Sequence, residues 1–380
     1  MVTVSHPHSS KLLRNFRTKI LGAWELIALS VLLVASFLFK VIPLLQYPRV
    51  GADPFVHYKY SMALLDGKLS VPIQAGNSGS TMDLYYPPLF HLISLGFFLA
   101  FPTADPYAIM KILASAIDAL QIVPIYLIVK RISGSSAGGL IASCAFLVTR
   151  SDYQMLSWGG YANIAGLLLF AFLVYAVMTD RLIMSAVSSA ALCLTHHLST
   201  LFAVAILAPY FVVLLWRKRI PKSVVGVFLG AGVAYVTFYQ FAWQSIYYYY
   251  SNFTPVYNQS LYITPYVLEL VGPLLLFCGA IGFALVCAKE GRKLVNGKEV
   301  LMIWAVVPFV LAYAYLFGVQ WHGLRWIHFI PQPLSVWTGI GLVSLRKKKL
   351  VFLGFILILT VQLILTLQGY SSDILQNIPH

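Results

Sequence analysis

Apolar runs of about 20 residues recur along nearly all of this 380-residue chain. A helical run of this length matches the hydrocarbon thickness of a bilayer. The runs are continuous and do not alternate between polar and apolar residues, which argues against a β-barrel. Only 10% of the residues are charged, against roughly a quarter in soluble proteins. The sequence therefore predicts an all-α integral membrane protein.

Basic residues predict the orientation of the chain in the membrane. The net charge of +14 could indicate nucleic-acid binding, but Lys and Arg cluster at the ends of apolar runs, so we expect no nucleic-acid partner. Four basic residues within 11–19 precede the first span, which places the N-terminus in the cytoplasm. If the run 84–101 dips into the membrane and returns, most of the 26 Lys and Arg lie in inner loops.

This distribution predicts a single polytopic domain, 1–380, with about 11 spans. The first outer loop, 47–106, would contain a partly inserted helix, and a shorter outer loop would cover 150–161. Later outer loops are expected at 244–263 and 319–326. The predicted spans lie at about 20–45, 108–129, 135–149, 162–178, 183–197, 199–216, 223–243, 264–287, 299–318, 327–345 and 350–368.

The first outer loop opens with Gly51-Ala-Asp53-Pro54-Phe. A carboxylate beside lipid can act as a general base or a metal ligand, depending on how burial and nearby cations shift its pKa. The alternative is a solvated Asp53 that caps the helix begun by Pro54. His57 lies four residues further on and shares a helix face with Asp53. The pair suits an acid/base couple or a metal, although two ligands alone do not define a metal site.

The second outer loop contains Arg150, Asp152, Tyr161 and Asn163. Arg150 and Asp152 could belong to a site, pair with each other, or anchor the neighbouring span at the headgroups. The intervening Gly159-Gly160 would let backbone approach a substrate closely, or could serve only a tight turn.

Further polar residues gather at the predicted outer ends of later spans. His196 and His197 point in different directions on a helix, so at most one of them faces a given site. His322 and Arg325 lie in the last outer loop. The planar donor fork of Arg325 suits a phosphate, and snorkelling to lipid headgroups is the alternative. Ionisable groups at membrane depth are costly, so their gathering on one face predicts an outward-opening site.

The order of these elements resembles the GT-C superfamily of membrane glycosyltransferases, which includes oligosaccharyltransferases and enzymes that mannosylate proteins and lipids. The matching features are Gly51-Ala-Asp53-Pro-Phe, Tyr85-Tyr86-Pro-Pro-Leu-Phe-His91, Arg150-Ser-Asp152 with Tyr161-Ala-Asn163, and Arg325-Trp before a proline-containing span. The paired acidic motif of several members is a lone Asp53 here, and we expect no large soluble C-terminal domain.

The resemblance implies that a sugar moves from a polyprenyl-phosphate or polyprenyl-diphosphate donor to an acceptor on the outer face. Asp53 would be the base or a metal ligand, Asp152 the second acidic residue, and Arg325 the ligand of the donor phosphate. A divalent metal, Mg or Mn, could be held by Asp53, His57 and Asp152. Residues expected to contact substrate or donor are His57, Tyr86, Arg150, Tyr161, Asn163, His196, His197, His322 and Arg325.

Two other functions remain open from the sequence. A transporter or flippase would act without covalent chemistry, and a scaffold subunit would have lost activity. Transporters typically carry midplane charges and paired broken helices in repeats. In this chain Asp118 and Glu269 are the main acidic residues inside predicted spans, and no repeat is visible.

Overall fold

The computed structural model describes residues 7–75, 80–243, 246–247, 263–290, 297–319, 323–345 and 349–378. These residues are almost entirely helical. The helices are α1 Pro7–Leu45, α2 Asp53–Leu65, α3 Leu89–Ala100, α4 Pro106–Leu120, α5 Ile122–Ser133, α6 Ser136–Leu147, α7 Arg150–Trp158, α8 Tyr161–Met178, α9 Leu182–Cys193, α10 His197–Trp216, α11 Lys222–Ala234, α12 Ile263–Leu270, α13 Pro273–Glu290, α14 Lys298–Ala312, α15 Gly323–Ile327, α16 Pro331–Leu345 and α17 Lys349–Gln376. A π-helical turn, Tyr235–Tyr239, extends α11, and a 3₁₀ turn, Ala314–Phe317, follows α14.

The helices confirm an all-α integral membrane fold. Within the described residues, six helical segments are long and apolar enough to cross a bilayer, and the pair α12–α13, bent by 87°, raises the number to seven. Three shorter apolar helices, α3, α6 and α9, accompany them. Each predicted span has a helical counterpart, but α14 ends at Ala312, six residues before the predicted end. The number of eleven spans and the orientation of the chain stay predictions.

Close packing of helices depends on small residues at their contacts, because lipid offers no hydrophobic drive for helices to associate. A Cβ atom on Gly230 of α11 would lie 2.1 Å from the Ala186 carbonyl oxygen of α9, and one on Gly226 would lie 2.2 Å from Ser185 Oγ. The glycines therefore let α9 and α11 pack with their backbones in contact. A cluster of buried rings fills the centre of the bundle, with the ring centroids of Phe202 and Phe329 4.2 Å apart.

The loop predicted at 47–106 has more structure than the sequence predicts. Between α2 and α3 the chain forms two antiparallel strands, β1 Ser70–Ala75 and β2 Ser80–Tyr85, paired with Ser70 opposite Tyr85. The apolar run 84–101 contributes only the 12-residue helix α3, which begins after Pro87-Pro88. This length is too short to cross a hydrocarbon core of about 30 Å.

The second predicted loop, 150–161, is also mostly helical. Residues Arg150–Trp158 form α7, which ends at Gly159 in the left-handed region, with φ +94°. Glycine is favoured there because a Cβ atom makes this conformation strained. Most of the later loop 244–263 lies outside the described residues, as do residues 320–322 of the loop 319–326.

A buried polar network joins the lipid-spanning helices. Lys40 of α1 forms an ion pair with Asp118 of α4, and both side chains are buried. Gln121 Nε2 donates to Asp118, and Gln332 Nε2 of α16 donates to Gln121 Oε1 at 2.6 Å. A buried charge in a membrane needs such a partner, so Asp118 serves a pair within the bundle.

Candidate functional site

The candidate site is built where the start of α2 meets the turn between α7 and α8. Gly51 has φ +80°, and a Cβ atom there would lie 2.4 Å from the backbone carbonyl of Trp158. A Cβ atom on Gly159 would lie 2.2 Å from Pro54 Cδ. Both glycines are required by backbone conformation and by contact, since any side chain would push the two turns apart. The motif around Asp53 and the Trp158-Gly159-Gly160 turn therefore form one packed unit.

Asp53 is the first residue of α2 and is half-buried. Burial raises the pKa of its carboxyl group, and the positive charge of Arg325 partly offsets the rise. A carboxylate at a helix N-terminus is also favoured by the helix dipole. A carboxylate with a raised pKa is a better proton acceptor than an exposed one, which is the property that a general base requires.

Arg325 lies on the other side of the same turn. It belongs to α15 and is exposed, with its guanidinium carbon 4.1 Å from the centroid of the Trp158 ring. No carboxylate in the described part of the chain lies within ion-pair distance of it. Stacking on an aromatic face fixes the plane of a guanidinium and leaves its edge N–H groups available. Arg325 is therefore held in a position suited to an anion.

Four histidines surround Tyr86, and we call His57, His91, His196 and His197 the histidine cluster. The ring centroid of Tyr86 lies 4.9 Å from His197, 5.2 Å from His91, 5.9 Å from His57 and 6.2 Å from His196. A backbone bond from Leu89 N to the Leu194 carbonyl oxygen, 2.8 Å long, ties α3 to the segment before His196. The cluster thus brings together α2, α3 and the start of α10.

The tautomer of His196 follows from its role as the N-cap of α10. The backbone N–H of Ser199 donates to His196 Nδ1 at 3.2 Å, so that nitrogen must be an acceptor. Burial, followed by the neighbouring His197 and Arg325, lowers the pKa of His196 well below its usual value. A neutral ring with an accepting Nδ1 carries its proton on Nε2. His196 therefore presents one N–H donor from Nε2.

Two of the residues expected in the site are engaged elsewhere. Arg150 forms a double contact with Asp373 of α17, at 2.9 Å and 2.5 Å, and a further ion pair with Glu269. Asp152 is buried, and its carboxyl group faces Lys40 and Asp118 rather than Asp53. Burial and the charge of Asp118 raise the pKa of Asp152 well above its usual value.

The remaining expected residues differ in how close they lie to the cluster. Tyr161 is buried and stacks on His57 with ring centroids 6.0 Å apart. Asn163 is buried, and its Oδ1 accepts from Ser199 Oγ at 2.9 Å, so it supports the start of α10. His322 lies outside the described residues. His91, Trp158 and His328 were not among the expected site residues; His328 contacts Ser151 Oγ through Nδ1 at 2.8 Å, and its ring lies 6.3 Å from Trp158.

The described residues do not fit a metal centre built by the protein. Asp53, His57 and Asp152 were the expected ligands, yet within the described ranges no group of three or more His, Cys, Asp or Glu side chains is arranged to hold a metal ion. His57 uses both ring nitrogens on Gly159 and His91, and Asp152 is buried beside Lys40. Of the three expected ligands, only Asp53 interacts with the charge of Arg325. The described residues therefore supply one carboxylate at this position and no complete ligand set.

Comparison with known proteins identifies the fold. No protein-family model and no curated protein matches the sequence. The structure resembles the oligosaccharyltransferase of Archaeoglobus fulgidus tethered with an acceptor peptide, with TM-score 0.60, 13% identity, and coverage of 94% of this chain and 56% of that one. It also resembles ArnT from Cupriavidus metallidurans bound to undecaprenyl phosphate, with TM-score 0.55, 15% identity, and coverage of 84% and 60%.

A third similar structure is the arabinofuranosyltransferase AftD from Mycobacteria, with TM-score 0.54, 12% identity, and coverage of 93% of this chain and 27% of that one. All three are GT-C glycosyltransferases. The chain spans little more than half the length of the first two structures. At these identities the likeness establishes the fold.

Proposed function

Because the chain has the fold of the GT-C membrane glycosyltransferases, we propose that it transfers a sugar from a polyprenyl-phosphate-linked donor to an acceptor on the extracytoplasmic face. The observation that carries this proposal is the placement of Asp53 and Arg325 against one turn, Trp158-Gly159. A proton acceptor and an unpaired cation are the two groups that glycosyl transfer from a phosphate requires.

The chemistry divides between these two residues. The acceptor hydroxyl attacks the anomeric carbon, a bond forms from its oxygen to that carbon, and its proton passes to the Asp53 carboxylate. The bond from the anomeric carbon to the phosphate oxygen breaks, and its electron pair leaves on the phosphate. Arg325 neutralises the phosphate charge that develops as this bond breaks. The charge of Arg325 also acts on His196, so we assign the Nε2–H of His196 as a second donor to the phosphate.

The lipid part of the donor is supported by the surroundings of the site. The ArnT structure of Cupriavidus metallidurans contains undecaprenyl phosphate, and the present site lies next to apolar helices of a membrane fold. A headgroup phosphate at this depth needs a cation that is accessible, which Arg325 is. A metal-dependent form of the reaction stays a prediction. Among the described residues, Asp53 is the one expected metal ligand that remains at the proposed site.

The test uses purified protein in proteoliposomes with radiolabelled polyprenyl-phosphate sugars and extracted membrane acceptors. Covalent label on an acceptor that is lost in Asp53→Ala supports the proposal. The matched control is Asp66→Ala at the exposed C-terminal end of the same helix, which should transfer as wild type. Movement of intact labelled donor across the bilayer without any transfer would support the alternative of a flippase.

A further inference from the structure

His57 and His91 form a hydrogen-bonded pair within the histidine cluster, and both side chains are buried. His57 Nδ1 lies 2.9 Å from His91 Nε2. The other nitrogen of His57, Nε2, lies 3.1 Å from the Gly159 carbonyl oxygen. The other nitrogen of His91, Nδ1, lies 3.2 Å from the Pro87 carbonyl oxygen. The two rings thus link α3, α2 and the turn between α7 and α8.

The number of protons limits which of these three contacts are hydrogen bonds. A backbone carbonyl only accepts, so each outer contact needs a proton on the histidine. The contact between the rings needs one donor and one acceptor. Three hydrogen bonds therefore need three protons, whereas two neutral imidazoles carry two. A neutral pair must leave one contact without a proton.

The surroundings of the pair favour the neutral form. The rings of Tyr60, Tyr86, Tyr161 and Phe90 pack around it, and neither histidine forms an ion pair with a carboxylate among the described residues. Burial lowers the pKa of His57 to about 4 and that of His91 well below its usual value. Two protons are therefore shared among three contacts at neutral pH.

Two of the three contacts join different elements: that of His57 with His91 joins α2 to α3, and that of His57 with Gly159 joins α2 to the turn between α7 and α8. The contact of His91 Nδ1 with the Pro87 carbonyl oxygen stays within one turn of its own segment. If it lacks the proton, His91 Nε2–H donates to His57 Nδ1, and His57 Nε2–H donates to Gly159. Every other distribution places two lone pairs against each other at 2.9 Å or 3.1 Å.

We propose that His57 and His91 are a positioning pair, both protonated on Nε2, whose one-directional hydrogen-bond chain anchors the Gly159 carbonyl and thereby sets the separation of Asp53 and Arg325. Gly159 packs on Pro54, the neighbour of Asp53, and Trp158 carries the Arg325 guanidinium. The pair touches neither reacting group, so it acts through this turn. The inference rests on the proposed glycosyl transfer for its functional consequence, but not for its proton arrangement.

Amide substitutions can distinguish the two nitrogens of His91. The side-chain nitrogen of Gln occupies nearly the position of Nε2, and that of Asn nearly the position of Nδ1. His91→Gln keeps a donor to His57 and should retain kcat within about threefold of wild type. His91→Asn loses that donor and should lower kcat at least about tenfold, with little change in KM for the donor, as expected for a lost alignment. Both rates are normalised to the folded fraction.

A second measurement does not depend on activity. Nitrogen-15 NMR of histidine-labelled wild-type protein in detergent at neutral pH reports the tautomer of each ring. The proposal predicts Nε2–H for both His57 and His91. The signals of the two rings are assigned by comparison with His57→Gln and His91→Gln. A proton on Nδ1 of either neutral ring, or equal kcat for His91→Gln and His91→Asn, overturns it. If wild type transfers no sugar, the proposed function fails while the NMR result still decides the pair.

Discussion

The guanidinium of Arg325 stacks on Trp158, and the residue after that tryptophan, Gly159, packs directly on the proline that follows Asp53. One short turn therefore connects the proposed proton acceptor to the proposed phosphate ligand. The turn is fixed by a left-handed glycine, by its contact with Pro54 and by the hydrogen bond from His57. The geometry of the site depends on this turn more than on any single polar residue.

The glycine of the turn should be intolerant of any side chain. Gly159→Ala would place Cβ 2.2 Å from Pro54 Cδ at φ +94°, so we expect transfer to fall at least about a hundredfold, as misplaced reacting groups do. The matched control is Gly67→Ala, which has φ +72° but nothing within 4 Å. That variant should lose only about 1 kcal/mol of stability and keep its transfer rate. Equal effects of the two substitutions would contradict the contact.

The planar group of Arg325 should matter as well as its charge. Arg325→Lys keeps the charge but loses stacking on Trp158 and the donor fork, so we expect KM for the lipid donor to rise about tenfold. Arg49, whose guanidinium carbon lies 5.1 Å from the centroid of the Tyr107 ring, provides the control Arg49→Lys. The measurement is initial rate against donor concentration. An unchanged KM in Arg325→Lys would argue that Arg325 only anchors the chain at the headgroups.

Substitution by asparagine should affect Asp152 and Asp118 to different extents. Asp152 is buried with a pKa raised well above its usual value, so its neutral form is an acid that Asn can replace. We expect Asp152→Asn to change stability by less than about 1 kcal/mol and to retain transfer. Asp118→Asn leaves Lys40 without its ionic partner and should cost about 3–5 kcal/mol. Thermal unfolding in detergent and transfer assays measure both; loss of transfer in folded Asp152→Asn would restore it as a catalytic residue.

The buried histidines predict loss of stability in acid. Burial lowers the pKa of His57 to about 4 in the folded state, whereas the unfolded value is near 6.5. The stabilising contribution is complete above pH 6.5 and is lost as the pH falls towards 4, because only the unfolded chain takes up protons in that window. One such group contributes a slope of up to about 1.4 kcal/mol per pH unit. Unfolding measured from pH 7.5 to pH 4.5 should show a shallower slope in His57→Gln, and an equal slope would contradict the prediction.

Much of the fold follows from the sequence because a segment that crosses lipid must be apolar over about 20 residues and must satisfy its backbone hydrogen bonds internally, as a helix does. The predicted spans therefore coincide with helices such as α8 and α10. The hairpin β1–β2 was missed because its residues lie in a short polar interval without a strong strand pattern. The end of α14 at Ala312 was also not visible in a run that stays apolar beyond it.

The candidate site was predictable only in part. Asp53 and Arg325 stand out because ionisable residues are rare in this chain. The partners of Arg150 and Asp152 could not be read from the sequence, since Asp373 is 223 residues from Arg150 and Lys40 precedes Asp152 by two spans. The same holds for His57 and His91, whose contact depends on how α2 and α3 fold together.

The most direct measurement is the single-turnover rate of sugar transfer by Asp53→Asn at saturating lipid donor, with Asp66→Asn measured in parallel. Removal of a general base typically costs 10² to 10⁴ in rate, so the account predicts a fall of about a thousandfold in Asp53→Asn, unchanged donor binding, and wild-type behaviour in Asp66→Asn. A rate for Asp53→Asn within about twofold of wild type would contradict the assignment of Asp53 as the residue that accepts the proton.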